Sequence, residues 1–249
     1  MTYVRIFAAA AAAVVLGAGG YALSQSAPTP GYLSEPMDGA ALIGPPPADG
    51  SAKDLAEKGH YAQTRGLAGS PRWAQARFDA ELTAAALGRG FGCAAGIEMS
   101  PQETPALYRV LGRVGGDIRS NIRAPKDHYQ RARPAVGNTT PICVERSAAL
   151  MGDGSYPSGH AMLGWTYALL LAELKPNEAE AILQRGKDFG DSRVICGVHY
   201  ASDVEAGRTL ASALVARLHA EPQFVADMAA ARAELAGAKP AADCPTPAG

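Results

Sequence analysis

Apolar residues recur at three- and four-residue spacing along most of this chain, the period of a helix that buries one face. The pattern predicts helices over 53–64, 71–87, 104–122, 161–174, 177–189, 202–219 and 224–235, with Pro71 opening the second and Gly88, Gly90 and Gly92 stopping it. Runs that alternate apolar and polar residues are rare and aromatics make up only 6% of the chain, which argues against a β-sandwich or barrel. Pro28, Pro30, Pro36 and the run Pro45-Pro46-Pro47 make 25–52 an extended lead-in that lies over the domain. The helical domain then spans 53–236. Residues 237–249 read as a loose Ala/Pro-rich tail unless Cys244 pins them in a disulfide. No repeat period is present.

At 249 residues, 47% apolar and 19% charged, the chain can bury a sizeable core in one domain. Lys and Arg total 23 against 24 Asp and Glu, so it lacks the basic excess that nucleic-acid binding requires. Residues 1–24 combine Arg5, an apolar stretch and a small-residue exit at Ala22-Leu23-Ser24, which reads as a cleaved signal peptide; the alternative is an uncleaved anchor. No later stretch approaches eighteen uninterrupted apolar residues, so the expectation is a periplasmic or secreted protein with no stable membrane insertion after cleavage. Cys93, Cys143, Cys196 and Cys244 form no Cys-x-x-Cys pair, which argues against zinc. In an oxidising space they favour two disulfides over four buried thiols, with all three pairings open, each bridge contributing roughly 2 to 4 kcal/mol.

Three clusters carry candidate chemistry. Lys126 and Arg133 lie seven apart, two helical turns, so both cations are expected on one helix face, with Pro134 placing Arg133 at the helix end. Gly154-Ser155-Tyr156-Pro157-Ser158-Gly159-His160 is a glycine-bearing turn that opens an apolar helix, and free N–H groups at such a start attract anions. Ser192-Arg193 is followed by His199 and Asp203, four apart, a spacing at which a carboxylate on a helix orients an imidazole. Each alone has an ordinary reading: a solvated basic face, an N-cap, a surface ion pair. Together they supply the parts of one phosphoryl transfer. Tyr129, Arg131 and Asp153 adjoin the clusters by sequence only. His60, His128 and His219 read as surface or packing groups, and Trp73 and Trp165 as core.

Lys126 with Arg133-Pro134, Pro157-Ser158-Gly159-His160, and Ser192-Arg193 with His199 and Asp203 resemble the full signature of the phosphatidic acid phosphatase type 2 and vanadium haloperoxidase superfamily. From about residue 30 to 235, with Cys196-Gly197-Val198-His199 and the signal peptide, the chain is similar to the class A bacterial non-specific acid phosphatases. Ala161 stands where many members have Thr, and Ala135 where a bulky apolar residue such as Phe is expected, which bears on pocket shape. The resemblance implies an all-α compact helical bundle and a metal-independent acid phosphatase without cofactor, inhibited by vanadate and, like many similar enzymes, a homo-oligomer. It implies His199 as nucleophile forming a phosphohistidine from small-molecule phosphomonoesters, Asp203 as its orienting carboxylate and His160 as general acid and base. Lys126, Arg133, Ser158, Gly159 and Arg193 hold the phosphate. His160 must be protonated to act as acid, and a bound phosphate favours that form, so activity is expected to fall toward alkaline pH.

Three rivals share part of this pattern. A vanadium-dependent haloperoxidase usually has a longer chain with extra helices. A membrane lipid phosphatase should have several spanning helices. A phosphate-binding module needs no His199–Asp203 pair.

Overall fold

The computed structural model describes residues 29–242 and Cys244; the expected signal peptide lies outside these residues. Ten α-helices are present among them: α1 (Gly39–Ile43), α2 (Ala52–Thr64), α3 (Pro71–Phe78), α4 (Ala84–Ala95), α5 (Pro105–Tyr129), α6 (Ala148–Gly152), α7 (Gly159–Leu174), α8 (Ala179–Ile195), α9 (Ala201–Leu218) and α10 (Pro222–Leu235). No strand occurs among the described residues, where a single isolated bridge joins Ile97 to Pro240. The fold is all-α, as expected. None of the described helices is long and apolar enough to cross a membrane.

Helix α7 is apolar on nearly every side, the composition of a helix enclosed by others. It packs against α8 and α9 and also touches α4, α5 and α10. Met162, Leu170 and Leu171 on α7 have no exposed surface, and the core continues through Leu107 and Val110 of α5, Phe189 of α8, Leu210 and Leu214 of α9 and Phe224 of α10.

Several boundaries differ from the sequence expectation for physical reasons. The segment 71–87 is not one helix. It breaks at Asp79, whose buried carboxylate accepts from Arg185 and Ser192 on α8, and restarts where the Thr83 hydroxyl caps α4 through the Ala86 N–H. The glycines do not stop it: α4 runs through all three, and close packing accounts for the missing side chain at Gly88, where a Cβ would stand 2.2 Å from the Met99 carbonyl. Helix α5 continues past 122, with Pro125 tolerated in its last turns, and ends where Gln130 turns left-handed at φ 45°. Helix α8 continues past 189 to Ile195 and so carries Arg193.

The segment before α2 packs against α5, and α1 makes part of it helical. Polar groups of α5 hold it: Asp117 accepts from the Tyr32 and Leu33 N–H groups at 2.9 and 3.0 Å, and Asn121 from the Met37 N–H at 2.8 Å. At the other end, Cys93–Cys244 pins the tail, and Cys143–Cys196 ties the loop after α5 to the end of α8. The four cysteines therefore form the two bridges expected, and the pairing left open is resolved.

Candidate active site

The three clusters converge. The Arg133 loop follows α5, Ser158 and His160 open α7, Arg193 ends α8, and His199 precedes α9 with Asp203 in its first turn. Lys126 and Arg133 do not share a helix face, since α5 stops at Tyr129 and Arg133 lies in the loop beyond it. His199 likewise stands before its helix. It meets Asp203 because the chain turns back at the helix start, where the Tyr200 N–H donates to Asp203 Oδ2 at 2.8 Å and His199 Nδ1 lies 3.3 Å from the same oxygen.

The other face of the His199 ring defines its tautomer. Arg133 Nη1 lies 2.9 Å from His199 Nε2, and a guanidinium can only donate, so Nε2 presents a lone pair and Nδ1 carries the hydrogen that Asp203 accepts. Burial pushes the His199 imidazole down to about 3; the Asp203 bond opposes this, and the charges of Arg133 and Lys126 add to it. The ring is 2% exposed and stays neutral in acidic solution. Burial would raise the Asp203 carboxyl, but the bond from His199, the charge of Arg131 and the Ser155 hydroxyl together hold it below the usual carboxylate range.

Arg193 is the unpaired cation of the site. Its Nε and Nη1 are buried and have no hydrogen-bond partner among the described residues. Burial, and next the charge of Arg133, brings it down to about 10, so it remains cationic at neutral and acidic pH. A buried guanidinium with two idle donors is costly unless an anion meets it.

His160 stacks on Phe189 with ring centroids 6.2 Å apart, and its Nε2 donates to the Ala80 carbonyl at 3.3 Å, on the break between α3 and α4. Burial and the Arg193 charge hold it well below the ordinary imidazole range. The protein's own groups therefore oppose the raised value expected from a bound phosphate. Ser158 caps α7 by accepting from the Ala161 N–H at 3.3 Å, leaving the Gly159 end of the helix beside the site. Gly207 on α9 makes this turn possible: a Cβ there would stand 2.5 Å from the Ser158 carbonyl.

Four further residues belong to this constellation. Asp153 Oδ2 accepts from Lys126 Nζ at 2.7 Å and Arg133 Nη2 at 2.8 Å. Ser155 donates to Asp203 Oδ2, and Arg131 bridges Asp203 and Glu57. Arg131 and Asp153 were marked in the sequence by proximity alone, Ser155 lay within the glycine turn, and Glu57 gave no signal because it comes from α2. His128 and His219 are accounted for elsewhere: His128 lies edge-on to Tyr129, and His219 pairs with Glu173 at 3.2 Å.

The pattern of the PAP2 superfamily matches residues 114–224, which include Lys126 through Asp203. Over 231 residues the chain is 40% identical to the acid phosphatase of Zymomonas mobilis, covering 90% of this chain and 88% of that one. The chain belongs to the PAP2 superfamily, among its acid phosphatases. The non-specific acid phosphatase of Providencia stuartii is 37% identical over 210 residues, 83% of this chain and 84% of that one. That of Salmonella typhimurium is 36% identical over 205 residues, 81% of each. A crystal structure of a bacterial vanadium-dependent iodoperoxidase shares the fold at a TM-score of 0.53 and 19% identity, covering 74% of this chain and 54% of that one. The acid phosphatase described here is thus a phosphoric monoester hydrolase.

Proposed function

We propose that this acid phosphatase is an exported, metal-independent phosphomonoesterase that works through a phosphohistidine at His199. The observation that carries the reading is the Arg133–His199 bond, which leaves a lone pair on a buried, neutral imidazole whose other nitrogen is held by Asp203. An Asp–His pair on an exposed surface would titrate near the ordinary imidazole value and would not need a buried arginine facing it.

In the first step the Nε2 lone pair forms a bond to phosphorus. The P–O bond to the leaving group breaks, and the departing oxygen keeps its electron pair and takes a proton from His160. The His199 ring becomes cationic, and Asp203 stabilises it through Nδ1. In the second step a water oxygen bonds to phosphorus while its proton goes to His160. The P–N bond breaks, returning its pair to Nε2. Lys126, Arg133 and Arg193, with Ser158 and the Gly159 N–H, hold the non-bridging oxygens, and three fixed cations supply the charge that a metal supplies in other phosphatases. Because the protein groups depress His160, the substrate's own anion has to raise it, so the acid is charged only when a phosphate is bound. Export is supported by the leader-like residues 1–24 together with the two disulfides.

Labelling tests this. Wild-type protein quenched in alkali during turnover of radiolabelled p-nitrophenyl phosphate should carry a base-stable, acid-labile phosphoryl group that His199→Ala lacks. Turnover should persist in EDTA and be inhibited by vanadate. Full activity in His199→Ala, or complete loss in EDTA, overturns the reading.

A further inference from the structure

Behind Asp203 lies a buried charge network that the reaction scheme leaves idle. Arg131 Nη1 donates to Asp203 Oδ1 at 2.7 Å and to the Ser202 hydroxyl at 2.8 Å, and Nη2 donates to Glu57. The second oxygen of Glu57 accepts from the Ser202 N–H at 3.2 Å and its hydroxyl at 2.6 Å. The guanidinium is centred 4.4 Å from the Tyr200 ring, which orients it further. The side chains of Arg131, Glu57 and Asp203 are 12%, 4% and 0% exposed, so their charges act on one another with little screening. Asp54, 4.0 Å from Arg131, is engaged by Lys58, leaving Glu57 as the principal counterion.

Beyond the neutral donors Ser155 and the Tyr200 N–H, Asp203 is therefore shared between His199 on one oxygen and a permanent cation on the other. From this geometry we infer that Arg131, restrained by Glu57, is a positioning residue. It sets how strongly Asp203 stabilises the phosphorylated His199 ring and so partitions the enzyme between forming and hydrolysing the phosphoenzyme. The inference rests on the phosphohistidine reading.

Charge on Asp203 acts in both steps. When Nε2 takes the phosphoryl group, the ring gains a positive charge beside Asp203. A carboxylate with no other partner would stabilise that cation most, speeding the first step and strengthening the P–N bond that must break in the second. Arg131 neutralises part of Asp203, so the pair returns to Nε2 more readily when water attacks. Glu57 acts in the opposite sense, because it draws on the same guanidinium. Ser155 and the Tyr200 N–H keep the carboxylate oriented in either case. Arg131 also has a static role: it helps keep a fully buried Asp203 ionised.

The test measures the fraction of enzyme carrying the alkali-stable phosphoryl label during steady turnover of p-nitrophenyl phosphate, alongside kcat, in the disulfide-bonded protein. Arg131→Met should raise the labelled fraction and lower kcat about tenfold, the scale of losing one hydrogen bond to a charged group. Glu57→Gln should lower the labelled fraction, and Arg131→Lys should fall between wild type and Arg131→Met. Glu57→Gln keeps shape and hydrogen-bonding capacity, so together with Arg131→Lys it decides the question even if Arg131→Met does not fold. A uniform drop in kcat with an unchanged labelled fraction overturns the inference while leaving the phosphohistidine intact. Absence of label in the wild type overturns the phosphohistidine itself.

Discussion

The Lys126 ammonium lies 2.7 Å from Asp153 Oδ2, the same oxygen that the Arg133 guanidinium reaches at 2.8 Å. Two of the cations assigned to phosphate are thus engaged by a carboxylate of the protein. A phosphate bound by both would share their charge with that carboxylate, which makes Asp153 an internal competitor for the substrate's charge.

Replacing Asp153 with Asn removes the competing charge and keeps the shape. KM for p-nitrophenyl phosphate and Ki for vanadate should both fall about fivefold, the equivalent of roughly 1 kcal/mol, with kcat little changed. A rise in both constants would show instead that Asp153 holds the two cations in place for the substrate. The variant also carries a stability signature. Burial raises the Asp153 carboxyl, but the Lys126 bond and the charges of Lys126 and Arg133 outweigh it and hold it below 3.8. Its stabilisation is therefore complete above the ordinary carboxylate value and is lost as pH falls through the folded value. The Tm gap between wild type and Asp153→Asn should narrow below about pH 4.

If His199 is the nucleophile proposed above, its burial lets it work in acid. An ordinary imidazole is half protonated near 6.5, where a nucleophile would be lost, but burial brings this one to about 3. The acid limb of kcat/KM should therefore lie near pH 3 to 4 instead of near 6.5. The same shift works against the fold in acid. The unfolded chain takes up a proton on this residue below 6.5 while the folded protein does not, so stability is lost progressively as pH falls from 6.5 toward 3. A kcat/KM profile whose acid limb sits at 6 to 7 sinks the argument.

Much of this site was legible in the chain, and the reason is specific. The residues proposed to hold phosphate lie in three short motifs whose internal spacing is set by local turns. His199 and Asp203, for example, meet through one helix start even though His199 is not on the helix. What stayed hidden are groups joined only by tertiary structure. Glu57 approaches Asp203 through Arg131 from a helix 145 residues away from Ser202, its other partner, and no local pattern marks such a residue. Element boundaries failed where a tertiary contact overruled propensity. Asp79 broke a helix to reach Arg185, and three glycines remained in one because Met99, Arg185 and Ile97 approach its backbone at Gly88, Gly90 and Gly92 in turn. The cysteine count implied two bridges, but only the fold brings Cys143 within reach of Cys196.

That bridge closes a loop of 53 residues and sits three residues before His199, with the Cys143 N–H donating to the Cys196 carbonyl at 3.0 Å. Removing both cysteines as Cys143→Ala/Cys196→Ala should cost up to about 4 kcal/mol by loop entropy, a Tm drop on the order of 10 °C for a chain of this size. The same pair should lower kcat more than KM, because the turn it anchors carries His199, the proposed nucleophile, while Lys126 and Arg193 sit on helices. Removal of Cys93–Cys244, which only pins the tail, should leave kcat unchanged. Equal effects of the two bridges on kcat would contradict the assignment of the first to the site.

The strongest packing test is Gly207. Helix α9 crosses the start of α7 so closely that a methyl at 207 would stand 2.5 Å from the Ser158 carbonyl and 3.0 Å from Ala161 Cβ, while the Ser158 N–H donates to the Asp203 carbonyl at 2.9 Å. Backbone cannot yield as a flexible side chain does, so Gly207→Ala must push the Ser158-Gly159-His160 turn away from His199 and Asp203. Overpacking of this kind costs about 1 to 3 kcal/mol, or several degrees in Tm. The displacement should lower kcat by more than tenfold, since misplacement by about 1 Å costs on that scale. Gly112→Ala on α5 supplies the control. It adds the same methyl where nothing lies within 4 Å, and it should raise Tm slightly through helix propensity while leaving kcat alone. If Gly207→Ala matched that control in both Tm and kcat, the close crossing of α7 and α9 would not be what holds His160, the Ser158-Gly159 turn and His199 in register.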